Sequence, residues 1–177
     1  MYRRILVALD QTPFRHQLFK QAIVMAKAMN AELMLTHVLT AYDEGSPGLP
    51  VRAYHAYYPV VDTIAWDTYQ RRWESYEKTG LEDLHHFAEE AQTQGIKAEF
   101  MQAAGDPGRV ICEIAESWGA DLIVVGNRGR VGLSELLLGS VSNYVMHHTA
   151  CSVLVVHSED SKETPSAQEE KAKVTVG

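Results

Sequence analysis

Cysteine is nearly absent. Cys112 and Cys151 are the only two in 177 residues, far apart and in no metal or redox spacing. That excludes a disulfide framework and a thiolate zinc site, and two free thiols in apolar patterns suit a reducing compartment. Basic residues never run longer than a pair and the net charge is −7, which argues against a nucleic-acid surface. No apolar run approaches the roughly 20 residues of a membrane-spanning helix. Ile5 to Leu9 follows Arg3 and Arg4 as a signal peptide's core would, but it is too short and stops at Asp10. The expectation is a cytoplasmic protein without membrane or nucleic-acid partners. There is no His-Glu-x-x-His, and the adjacent His85 and His86 diverge by about 100° on a helix, too far to share a metal. There is no Gly-Lys-Ser/Thr, hence no Walker loop, and no Gly-x-Gly of the dinucleotide fingerprint.

What is present is a soluble globular composition, 46% hydrophobic and 22% charged, of about one domain's length. Ile5 to Leu9 reads as a buried strand ended by Asp10-Gln11-Thr12. Thr12 before Pro13 predicts a helix N-cap followed by proline at N1. Phe14, Leu18, Ala22, Met25 and Met29 form the apolar stripe of that helix, Asn30 ends it, and Leu33 to Val38 gives the second strand. Residues 40–60, with Pro47, Pro50 and Pro59 among several tyrosines, predict a long inserted loop whose rings either close over a ligand or cover a helix. Apolar spacing from Val61 to Gln94 predicts one long helix, aromatic in its first half, with Gly80 as a weak point or kink. Ile96 to Met101 alternates as a third strand. Asp106 and Pro107 then cap and open a helix carrying Val110, Ile111, Ile114, Ala115 and Trp118, and Gly119 ends it. Residues 158–177 are polar and mixed in charge, the composition of a flexible tail.

The stretch DLIVVGNRGRVGLSELLLGSVSNYVMHHTACSVLVVH, from Asp121 to His157, organises the rest. Leu122 to Val125 and Val153 to Val156 read as strands buried on both faces. Between them lie Gly126, Gly129, Gly132 and Gly139-Ser140, the last opening a helix with Val141, Tyr144, Val145 and His148 on its apolar stripe. A strand, a glycine-rich loop and a helix N-terminus turn unpaired N–H groups and the positive end of a helix dipole toward one point, an anion site. Asp10 stands at the carboxyl end of the first strand, where open α/β sheets bind ligands, although a turn aspartate would look the same. Alternation of strands and helices predicts a single α/β domain over residues 1–157. Its fold is doubly wound and Rossmann-like, a five-stranded parallel sheet with helices on both faces.

Gly126, Gly129, Gly139 and Ser140, spaced Gly-x2-Gly-x9-Gly-Ser, resemble the nucleotide-binding motif of the universal stress protein family. VALDQT, His37-Val38 and GDPGRVICEIAESWGADLIVVG are also similar to that family, over residues 2–39 and 96–157. The resemblance implies strand order 3-2-1-4-5, with Asp10 and Gly126 facing each other across the switch point. It implies ATP or a related adenine nucleotide as ligand: Ala8, Leu9, Asp10 and Thr12 near the ribose and phosphates, and Val38 at the base. The phosphates would lie against Gly126, Arg128, Gly129, Gly139, Ser140, Val141 and Ser142. A magnesium ion would reach Asp10 through the nucleotide. Gln11 and Thr12 stand where the family has glycine and serine, and Asn127 where it commonly has threonine. Arg128 and Arg130 either add charge to the loop or are solvated. Two functions are open, a nucleotide-dependent binding or switch module and a slow ATP hydrolase. The last strand, lacking the family's proline at Ser152, is expected to pair with its copy in a homodimer.

Overall fold

The computed structural model describes residues 1–41, 45–48, 63–127 and 139–158. The elements follow as β1 (Arg4–Ala8), α1 (Phe14–Met29), β2 (Glu32–Leu39), α2 (Thr63–Thr93), β3 (Ala98–Ala104), α3 (Pro107–Trp118), β4 (Leu122–Asn127), α4 (Ser140–His148) and β5 (Ser152–His157). The strands form one 5-stranded sheet in the order β3-β2-β1-β4-β5, and every pairing is parallel. The doubly wound sheet expected from alternation is the one found.

Alternate residues of each strand feed two separate cores. Ile5, Val7, Leu33, Leu35, Leu122 and Val124 meet Leu18, Phe19 and Ala22 of α1 and Leu84, Phe87 and Ala91 of α2. Leu6, Met34, Val38, Ile123 and Val125 meet Val110, Ile111 and Ile114 of α3 and Val145 of α4. Ile5, Leu6 and Val7 are all 0% exposed, because β1 is the central strand with both faces covered. At its amino end the Asp121 carboxylate accepts the amides of Arg3 and Arg4 at 2.7 and 3.0 Å. Those two bonds hold the Asp121 carboxyl below the usual aspartate range. The stabilisation they give is therefore present above that range and is lost as pH falls through the lowered value.

Local chemistry explains most boundaries. Asn30 ends α1 in the left-handed conformation, φ 53°, which asparagine tolerates better than most residues. Asp106 caps α3 by accepting the Arg109 amide, with Pro107 in the first turn and Gly119 left-handed at the other end, φ 73°. Three expectations are corrected. Thr12 does not cap α1; its hydroxyl and amide both go to Asp10 Oδ1, at 2.6 and 3.0 Å, and the cap position is Pro13. β3 begins at Ala98 rather than Ile96, whose amide is still occupied closing the end of α2 onto Ala91. Gly80 is no kink, since α2 runs unbroken through it. It is a close approach: an added Cβ would lie 2.5 Å from Gln102 Nε2 and 2.7 Å from His37 Nδ1.

α2 outruns the sheet. One face of its carboxyl half is buried, from Tyr76 through Leu84 and Phe87 to Ala91, whereas Ile64 and Trp66 are 76% and 47% exposed. Trp66, Tyr69, Trp73 and Tyr76 form a ladder of rings with centroids 5.5 to 6.2 Å apart. Cys112 and Cys151 are both free and half-buried. Burial, then Cys151 and Glu113 nearby, push the Cys112 thiol up, so it stays protonated and unreactive.

Candidate functional site

The carboxyl ends of β1, β2 and β4 open into a cleft of about 500 Å³, within the range of about 300–1,000 Å³ that small-molecule sites occupy. Of the residues singled out from the sequence, Ala8, Leu9 and Asp10 line it from β1 and Val38 from β2. Gly126 lines it from β4, and Ser140 and Val141 from α4. Residues distant in sequence therefore meet at the switch point. Arg128 and Gly129 lie outside the described residues, as do most of the loop over residues 40–60 and the tail from residue 159.

The candidate end for an anion is the start of α4. Asn143 is the first residue of its turn to bond within the helix, to Gly139 O at 2.9 Å, so the amides of Ser140, Val141 and Ser142 precede the ladder and have no intrahelical acceptor among the described residues. Asn127 fixes where this turn sits. Its side chain is 6% exposed, and its Oδ1 accepts the Gly139 amide at 3.3 Å. Asn127 thus closes the two ends of the glycine-rich segment on each other, a role the sequence did not reveal. Ser142 differs from its expected part: it is 2% exposed and its hydroxyl donates to Gly139 O at 3.0 Å. Gly126 has no room for a side chain, since an added Cβ would lie 2.6 Å from Phe14 Cε1.

Asp10 orders the β1–α1 turn by accepting twice from Thr12, and the same residue lines the cleft. His37, read from sequence as a strand-end residue, is 3% exposed. Gln102 Nε2 lies 3.0 Å from His37 Nδ1 and Tyr76 Oη 3.4 Å from its Nε2. An amide nitrogen only donates, so Nδ1 accepts and the proton sits on Nε2. Thr36, Arg15, Asp106 and Tyr144 also line the cleft and had no sequence signal beyond their elements. Thr36 Oγ1 is buried with no hydrogen-bond partner among the described residues. Among the described residues no group of His, Cys, Asp and Glu is arranged to hold a metal ion, and no helix is long and apolar enough to cross a membrane.

Residues 1–157 match the profile of the universal stress protein family. The chain is 43% identical over 104 residues to universal stress protein Slr1101 of Synechocystis, covering 58% of this chain and 96% of that protein. It is 33% identical over 155 residues to universal stress protein Sll1388 of the same organism, covering 88% and 97%. Among solved structures it is similar to hypothetical protein MJ0577, with TM-score 0.68, 22% identity and coverage of 90% and 99%. A universal stress protein family member from Arabidopsis thaliana, solved with AMP bound, superposes with TM-score 0.57 at 20% identity, covering 93% and 97%. At these identities the two structures bear on the fold.

Proposed function

The chain belongs to the universal stress protein family, and on that premise we propose that it binds an adenine nucleotide, ATP above all, across the carboxyl ends of β1, β2 and β4. It then serves as a nucleotide-dependent binding or switch module of a cytoplasmic stress response. The observation that carries the reading is the start of α4, whose first amides precede its hydrogen-bond ladder, held by Asn127 against a cleft that Asp10 and Val38 also line. Helix N-termini of this kind favour phosphate. In this reading the base lies at Val38, the ribose near Asp10, and the phosphates against Ser140 to Ser142. Structures of family members in complex with cAMP, dAMP and AMP support the choice of an adenine nucleotide. Magnesium would supply charge neutralisation between phosphates and Asp10, since this ion is commonly held by one or two carboxylates together with substrate phosphates.

The test is mass spectrometry of nucleotide released from the denatured, purified protein, followed by calorimetric titration with ATP. An adenine nucleotide retained or bound is expected; no binding at millimolar ATP would refute the reading. A second reading, slow hydrolysis, draws on the one carboxylate at the end of β1. Among the described residues no lysine lines the cleft, and turnover far below the roughly 1–100 s⁻¹ of kinases is expected. Turnover within that range, abolished by Asp10→Asn, would make the protein an enzyme.

The module is further proposed to work as a homodimer through β5. β5 is an edge strand, and Val153, Leu154 and Val155 remain only half-buried. The other edge, β3, is blunted by charge, with Lys97 3.1 Å from Glu32 and 3.7 Å from Glu99; β5 has no such device before His157. Two copies running antiparallel about a two-fold axis would satisfy both edges. Val155→Pro with Val153→Lys is expected to give a monomer with unchanged circular dichroism. A wild-type monomer at micromolar concentration by light scattering, or a fully dimeric double variant, would exclude this interface.

A further inference from the structure

An anionic ligand meets two carboxylates in this cleft, Asp10 and Asp106. The only lysine or arginine among the described lining residues is Arg15, in the first turn of α1. Arg15 Nη2 lies 3.0 Å from Asp83 Oδ2 on α2, with the two side chains 18% and 31% exposed. The pair is close but misaligned: Arg15 Nε and Asp83 Oδ2 are buried, and neither has a hydrogen-bond partner among the described residues. An ion pair without hydrogen-bond geometry gains little over its desolvation, so little holds the guanidinium in this orientation. Beside it lies a void of about 10 Å³, room for one water at most.

We propose that Arg15 is the phosphate-reading residue of the cleft, resting against Asp83 when the cleft is empty and turning its unpaired edge to a nucleotide phosphate when it is filled. The proposal rests on the nucleotide reading above and deepens it. A planar guanidinium matches phosphate oxygens in a bidentate fork, and Arg15 has the buried, unsatisfied donor that such a contact would use. Arginine here makes affinity depend on phosphate count, which a residue that only braced α1 on α2 would not do.

The test is calorimetric titration of wild type, Arg15→Gln, Arg15→Lys and Asp83→Asn with adenosine, AMP and ATP. Arg15→Gln is expected to weaken ATP about tenfold, equivalent to about 1.4 kcal/mol, and to leave adenosine within about twofold. Arg15→Lys should fall between, and Asp83→Asn, which removes the resting partner, should tighten ATP severalfold. If Arg15→Gln fails to fold by circular dichroism, Arg15→Lys decides, with weaker ATP and unchanged adenosine expected. Equal losses for adenosine and ATP, an unchanged ATP affinity, or weaker ATP binding by Asp83→Asn would each overturn the proposal. A wild-type protein that binds none of the ligands overturns instead the nucleotide reading beneath it.

Discussion

Gly139→Asp is expected to weaken ATP binding by about two orders of magnitude while leaving the fold as stable or slightly more so. The two effects have one origin. Gly139 is the N-cap of α4 with φ −58° and ψ 153°, a conformation open to any residue. Among the described residues an added Cβ would meet only Ser142 Oγ at 3.5 Å and Asn127 Oδ1 at 3.6 Å, ordinary contact distances. Aspartate is a better cap than glycine by a few tenths of a kcal/mol, because its carboxylate accepts the first amides of the helix. Those amides are the ones that the proposed reading offers to phosphate. The variant therefore occupies the donors and adds a like charge beside the anion, a combined cost of about 2–3 kcal/mol. Thermal denaturation and calorimetric titration check both halves, with Gly139→Ala as a control expected to bind nearly as well as wild type. Unchanged ATP affinity in Gly139→Asp would mean that the phosphates do not lie at α4.

Gly108→Ala should produce the largest loss of stability available from one methyl group in the described chain. α3 and α4 cross here so closely that an added Cβ would lie 2.7 Å from Tyr144 Cγ and Cδ1 and 2.8 Å from its Cβ. The Tyr144 Cβ is tied to the helix backbone, so the helices must separate rather than a side chain rotate. Tyr144 is also stacked on His148, with ring centroids 3.9 Å apart, which removes one direction of escape. Overpacking of this kind costs about 1–3 kcal/mol, and a loss near 2 kcal/mol lowers the melting temperature of a domain this size by about 4–8 °C. Because Tyr144 lines the cleft, nucleotide affinity should fall with it. An unaltered melting temperature would show that the crossing is looser than described.

The sheet was legible because its signals are local and repeated. Ile5–Leu9, Leu33–Leu35 and Leu122–Val125 are each apolar without interruption, and short runs of this kind suit strands covered on both faces. Asp106, Pro107 and Gly119 bracket α3 by backbone chemistry that needs no knowledge of the rest of the fold. Errors arose where a residue's partner lies far along the chain. Gly80 looks like a helix breaker until Gln102 and His37 are brought against it from β3 and β2. Thr12 looks like a cap because its preference for Asp10 over the helix amides is a matter of loop geometry. Ser142 has the right type and spacing for a phosphate contact, yet helical rotation turns its hydroxyl back to Gly139. Arg15 was one polar residue in an amphipathic helix, and only the approach of Asp83 from α2 and its lining of the cleft set it apart.

The carboxylate of Asp121 has a consequence for how the chain is made. It holds the amides of Arg3 and Arg4 across a separation of 118 and 117 residues, and Ile5 pairs with Leu122 in the same ladder. β1 is synthesised among the first elements but has β2 alone as a neighbour until the ribosome has released residues beyond Asp121. At about 5–20 residues per second, the side of β1 that β4 will cover stays open for several seconds, an apolar strand edge with bare amides. Pairings so distant in sequence also close slowly, because the loop entropy is paid before the contact is gained. The interval between the emergence of β2 and that of β4 is therefore when this apolar edge is open to wrong pairing. A nascent chain arrested within it should be the species most readily captured by a chaperone.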